Sequence, residues 1–170
     1  KILELGVDSL KIEGRMKGIF YVANVVKVYR DALDSFYSGN YKYNPQWKEE
    51  LEATSNRSYT DGFYKGNPGT DGQNYNNRNS YSQTHQLVAK VEEKISEREY
   101  ILAIRNRLFV GETLEIISPG ISVRDFVMPE MLLWNKGREE GEVKQANPNS
   151  FVKIITDIPL SEMDMLRKKL

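Results

Sequence analysis

From residue 87 onward the chain breaks into short runs rich in β-branched or alternating apolar residues, at 87–95, 100–104, 113–117, 121–127, 130–134, 142–146 and 151–156. Turn dipeptides separate them at Ser96-Glu97, Val110-Gly111, Pro119-Gly120, Lys136-Gly137 and Asn147-Pro148. Short strands bury only one face each and leave backbone groups open along every unpaired edge, so six or seven of them leave few architectures open. The pattern predicts a small antiparallel barrel or sandwich over 85–170, and a closed barrel best removes exposed edges in so small a unit. The last ten residues, 161–170, read as a polar tail or terminal helix, with Arg167-Lys168-Lys169 as its solvated end.

The N-terminal part follows a different period. Ile2, Leu3, Leu5 and Val7 suggest a short helix or turn, Leu10 and Ile12 a buried strand over about 9–12, and Gly14 breaks the pattern. Ile19, Phe20, Val22, Ala23, Val26, Tyr29, Ala32, Leu33, Phe36 and Tyr37 then form a helical stripe that Gly39 ends. Strand, glycine turn and helix make one βα unit over 1–40, and a single such unit cannot form an α/β domain. Asn44 as N-cap and Pro45 at the first helical position announce a second helix, short and acidic, suited to a spacer or latch. Residues 41–84 read as this helix plus a Gly/Asn/Tyr-rich connecting segment, whose Tyr64, Tyr75 and Tyr81 offer anchors to a surface. The fold class is therefore α+β, dominated by its all-β C-terminal part.

Residue inventory narrows the chemistry. With 24 basic against 24 acidic residues the formal net charge is zero, which excludes nucleic-acid binding by bulk charge and leaves at most a local patch. No apolar run reaches the roughly 18 residues of a membrane span. There is no cysteine, hence no disulfide, thiolate metal site or iron–sulfur ligation from this chain, and a cytoplasmic setting is favoured. The one histidine, His85, stands in a Ser/Thr/Gln-rich run and reads as a surface loop or strand start. Phosphate-binding glycine loops are absent. The chain begins at Lys1 and reads as a piece of a longer protein.

Lys11, Glu13 and Arg15 alternate around Gly14 where the expected strand meets the helix, a place where α/β folds set ligand-facing groups; a rim salt-bridge cluster is the plainer reading. Read with their neighbours these residues carry more. Val7 through Lys17, Val-Asp-Ser-Leu-Lys-Ile-Glu-Gly-Arg-Met-Lys, followed by Tyr21-Val22-Ala23 and Tyr29-Arg30, resembles the collagenase-like peptidase family U32. Ser55-Asn56-Arg57-Ser58-Tyr59-Thr60-Asp61-Gly62-Phe63, Gln73-Asn74-Tyr75 and the stretch from Arg105-Asn106-Arg107 to Leu114-Glu115 resemble three further family segments in the same order.

The resemblance implies that 1–39 is the end of a TIM-like barrel and that the remainder is the family's C-terminal β-barrel, acting as a lid. It implies a parent that is either a collagenase-like peptidase or a prephenate-dependent tRNA uridine hydroxylation protein, the latter branch being the more similar. Any iron–sulfur cluster of the parent would take its ligands from outside this chain. Asn56 stands where many members have His, and an amide cannot transfer a proton by titration. The expected role is accessory: Lys11, Glu13 and Arg15 facing the active site, with Arg57, Tyr59, Arg105 and Arg107 contacting phosphate or base through guanidinium forks and a stacking face. Partners expected are the N-terminal barrel, tRNA or a peptide substrate, and a second copy through the apolar stripe from Ile19 to Tyr37. An independent collagenase-like protease and a structural oligomerisation module are the alternatives.

Overall fold

The structure, a computed structural model, describes residues 3–54, 59, 62–72 and 82–170. A 3₁₀ turn at Leu3–Leu5 and an irregular segment lead into α1 (Ile19–Tyr37), which is followed by α2 (Pro45–Ala53). The helix boundaries are locally encoded. Asn44 Oδ1 accepts the Gln46 amide at 3.0 Å with Pro45 behind it, and Ser38 and Gly39 close α1 by donating to Asp34 and Phe36 carbonyls.

Ten strands follow: β1 (His85–Lys94), β2 (Glu99–Ile104), β3 (Leu108–Phe109), β4 (Thr113–Ile117), β5 (Val123–Val127), β6 (Met131–Asn135), β7 (Arg138–Val143), β8 (Gln145–Ala146), β9 (Phe151–Ile155) and β10 (Met165–Lys169). Eight form one antiparallel sheet in the order β5-β4-β10-β1-β2-β9-β6-β7, while β3 and β8 pair separately. Its ladders end at β5 and β7, and among the described residues no strand pairing closes it into the expected barrel. Residues 138–146, read as one strand from 142, are two strands serving different sheets. At the β6–β7 turn both Lys136 (φ 47°) and Gly137 (φ 82°) take left-handed backbone, as a tight hairpin with right-handed strand twist requires.

Two further expectations are corrected. Residues 161–170 are not a tail or helix: β10 lies inside the sheet, between β1 and β4, and Arg167, read as a solvated helix end, is 2% exposed. Its alternation decides this. Leu166 enters the main core, while Met165 and Arg167 face the helices from the other side. The buried strand expected near 9–12 is irregular and exposed apart from the half-buried Ile12, because a strand holds only where its backbone groups are paired and none of the described strands pairs with it.

The main core gathers Val88, Leu102, Ile116, Phe126, Met131 and Leu166 among others. A much smaller cluster, Phe20 with Leu87, Ile117 and Met165, joins α1 to the opposite face of the sheet. Among the described residues no helix is long and apolar enough to cross a membrane.

Candidate functional site

Between the helix pair and the sheet lies a buried cluster of charges. On α2 the residues facing inward are Trp47, Glu50 and Ala53, three apart, so Glu50 occupies a core position. On α1 the same geometry turns Asn24 and Lys27 inward beside Phe20 and Val28. From the sheet, Arg167 of β10 meets Glu50 with two parallel bonds, Nη1 to Oε2 at 2.9 Å and Nη2 to Oε1 at 2.7 Å. Its Nε donates to Glu115 Oε2 of β4 at 2.7 Å. Lys27 Nζ reaches Glu50 Oε2 at 3.3 Å, and Asn24 Nδ2 donates to the Glu50 carbonyl. The side chains of Lys27, Glu50 and Arg167 are 4%, 6% and 2% exposed, so each ion depends on its partners rather than on water.

At the margin, His85 opens β1 as a strand start. Its Nδ1 is 2.8 Å from Thr84 Oγ1 and its Nε2 3.3 Å from Glu115 Oε2, although the latter contact lacks hydrogen-bond alignment. Burial, with Arg167 beside it, lowers the imidazole pKa against the pull of Glu115 and Glu50. Burial also lowers the pKa of Lys27, against the pull of Glu50. For Glu115 burial opposes ionisation, but the hydrogen bond and charge of Arg167 outweigh it and hold the carboxyl below its ordinary value. Hydroxyl, imidazole and carboxylate thus stand in a row, but the ring makes no aligned bond to the carboxylate. Arg167 already holds the carboxylate, and His85 and Thr84 line neither of the clefts described next.

One cleft, about 500 Å³, runs between α1 and the turns at 118–120 and 161–164, with Lys27, Arg30, Asp34 and Asp164 in its walls. A second, about 440 Å³, is aromatic: Tyr29, Tyr41, Tyr43, Trp47 and Tyr59 surround it, with Lys48 at its side. Trp47 is fixed by its indole bond to Asp31 Oδ2 at 2.7 Å and by edge contact with Tyr43.

The residues expected to act do not converge. Tyr59 lines the aromatic cleft half-exposed and donates to the Leu51 carbonyl, and burial raises its pKa. Arg105 and Arg107 are exposed in the loop between β2 and β3, and neither guanidinium has a hydrogen bond or ion pair among the described residues. Lys168 Nζ joins that loop through the Arg107 carbonyl at 3.4 Å. Lys11, Glu13 and Arg15 are exposed, line neither cleft, and are linked only by the Arg15 amide donating to Glu13 Oε1 at 2.9 Å. Arg57 and Asn56 lie outside the described residues, as do Tyr75 and Tyr81. The ion cluster itself went unread, although its signal was present as charged residues at inward positions of two amphipathic helices.

No group of three His, Asp or Glu side chains among the described residues is placed to hold a metal ion. An iron–sulfur cluster finds no thiolate here, since the chain has no cysteine.

Comparison with known proteins adds a frame. Residues 1–74 match the family model described as peptidase family U32, and residues 83–167 that of the U32 C-terminal domain. The chain is 32% identical, over 99% of its length, to tRNA hydroxylation protein P1 of Bacillus subtilis strain 168, spanning 40% of that protein. It is 34% identical over 70% of its length to tRNA hydroxylation protein P of Escherichia coli K12, covering 26% of it. Collagenase of Porphyromonas gingivalis is 37% identical over 39% of this chain, which covers 19% of that protein. Among solved structures, the C-terminal domain of a Geobacillus thermoleovorans U32-family protein aligns with 49% of this chain and 99% of its own, at 23% identity and a TM-score of 0.40.

Proposed function

The chain belongs to peptidase family U32, and from that premise we propose that its sheet is an accessory domain that presents or covers RNA for an active site carried elsewhere in a longer protein. The observation that carries this reading is the reach of the similarity. The match to a tRNA hydroxylation protein runs along 99% of the chain, whereas the collagenase match covers 39%. The residue inventory agrees: the described residues assemble no nucleophile, base and oxyanion donors, while Arg105 and Arg107 stand exposed with no ionic partner among the described residues.

On this reading α1 is the last helix of a TIM-like barrel. Ile19, Val22 and Val26, which the sheet leaves 47%, 37% and 46% exposed, face the missing part of that barrel. The redox chemistry, with any cluster, belongs to that part, and this chain contributes docking and orientation. The aromatic cleft containing Tyr59 supplies a stacking surface for an unpaired base.

Fluorescence anisotropy of labelled tRNA tests the proposal. The chain should bind at low salt, and Arg105→Ala and Arg107→Ala should each weaken binding with no change in circular dichroism. Absence of binding removes the docking role. Cleavage of gelatin by the purified chain, lost in Glu13→Gln, would favour independent proteolysis instead.

A further inference from the structure

Lys168 follows Arg167 on β10, and strand alternation turns the two basic side chains to opposite faces of the sheet. Arg167 serves the helix pair. Lys168 instead reaches the loop between β2 and β3 that carries Arg105 and Arg107: its Nζ donates to the Arg107 carbonyl at 3.4 Å and to Glu112 Oε1 at 2.7 Å. The second oxygen of Glu112, Oε2, accepts the Phe109 amide at 3.0 Å. Glu112 can reach back to that amide because 109–112 is a tight turn. Its own amide donates to the Phe109 carbonyl at 3.3 Å, and Gly111, third in the turn, takes the left-handed φ of 81° that this position requires. Buried Met128 holds the turn from outside, accepting the Gly111 amide at 2.8 Å and donating to the Glu112 carbonyl at 2.9 Å.

The start of the loop is tied to β1. The Arg105 and Asn106 amides both donate to the Val88 carbonyl, at 2.8 and 3.2 Å, and Asn106 Nδ2 donates to the Leu87 carbonyl at 2.8 Å. The backbone of 105–109 is therefore held at both ends while the two arginine side chains stay exposed. On charge alone Glu112 is out of place near arginines offered to phosphate, since it repels the anion they attract. We infer that Glu112 and Lys168 are positioning residues, a clamp that fixes the 105–109 backbone and so presents Arg105 and Arg107 to an RNA phosphate in one arrangement.

The clamp bears on binding only if this loop docks RNA, the reading proposed above. Its gain is preorganisation: a loop already ordered surrenders less conformational freedom when the anion arrives. The side chains of Lys168 and Glu112 are 23% and 26% exposed, and an ion pair so placed adds little to global stability. Its consequence is local, because each partner also holds a backbone group of the loop, the Arg107 carbonyl or the Phe109 amide. The repulsion that Glu112 exerts on an anion is offset by the ammonium bonded to it.

Glu112→Gln separates geometry from charge, because it removes a negative charge from the loop and breaks the clamp together. Glutamine keeps one acceptor oxygen, which the Lys168 ammonium claims, and sets an NH2 group against the Phe109 amide. In the intact 170-residue chain, anisotropy of labelled tRNA at about 50 mM salt should show Glu112→Gln binding about three-fold or more weakly than the wild type. Hydrogen exchange at the Phe109 amide, measured without RNA, should quicken about ten-fold in Glu112→Gln while the β2 and β9 amides keep their protection. Lys168→Met cuts the clamp from the other side, and it should quicken the same exchange and weaken binding even where Glu112→Gln folds poorly. The inference is overturned if Glu112→Gln binds tRNA as tightly as the wild type or more tightly, the result that charge alone predicts. It is equally overturned if the Phe109 amide exchanges as slowly in Glu112→Gln as in the wild type. A wild-type chain that binds no tRNA removes the docking reading and the clamp's role in it, whereas a wild type that binds beside a tighter Glu112→Gln removes the clamp alone.

Discussion

Glu50 shares the inward face of α2 with Trp47 and Ala53, and its carboxylate is acceptable there only because Arg167 arrives from a strand 117 residues later. Neither ion explains itself alone. Removing one partner leaves the other buried and uncompensated, so Arg167→Met should lower unfolding free energy by about 3–5 kcal/mol in urea denaturation. The double variant Arg167→Met/Glu50→Leu should recover most of that loss, because two apolar groups have no desolvation left to offset. A single-variant loss below about 1 kcal/mol would show that water reaches the pair after all. At this scale the sequence was legible where chemistry is local, as in Asn44 capping α2 with Pro45 behind it. It was opaque where a charge is satisfied at long range, and the run Arg167-Lys168-Lys169 therefore read as solvated. His85 was placed correctly at a strand start, but its carboxylate neighbour, 30 residues away, could not be seen.

Among elements, β4 spans the predicted 113–117, and β2, β6 and β9 differ from expectation by a residue at one or both ends, since alternation and turn dipeptides bracket them. β10 was missed although it is central: it joins the β5-β4 pair to the rest of the sheet. Truncation after residue 160 should therefore abolish cooperative unfolding by circular dichroism rather than trim a tail, and a folded truncated chain would contradict the observed topology. The segment near 9–12 went the other way: its apolar spacing suggests a strand, but it is irregular and pairs with none of the described strands. The β6–β7 hairpin allows a finer test. Lys136 holds φ of 47°, unfavourable for a lysine but easy for asparagine. Lys136→Asn should stabilise by about 0.5–1 kcal/mol, seen as a raised thermal midpoint, and an unchanged or lowered midpoint would remove the strain argument.

For the molecule as a whole, one sheet domain and one helical pair, matched by two different segments of the same family, are fastened by buried ions over a thin apolar joint. Zero net charge leaves only a local patch for the proposed docking of RNA, and Arg105 and Arg107 are exposed. The family was legible from four ordered motifs. The way its two segments are held together was not, because the holding is done by single side chains far apart in sequence. The most direct test of the accessory role is the salt dependence of tRNA affinity. If Arg105 and Arg107 each neutralise a phosphate, log K against log salt between about 50 and 200 mM should fall with a slope near −1.5, and each alanine variant should remove roughly half of it. A slope of zero, or variants that share the wild-type slope, would contradict the account.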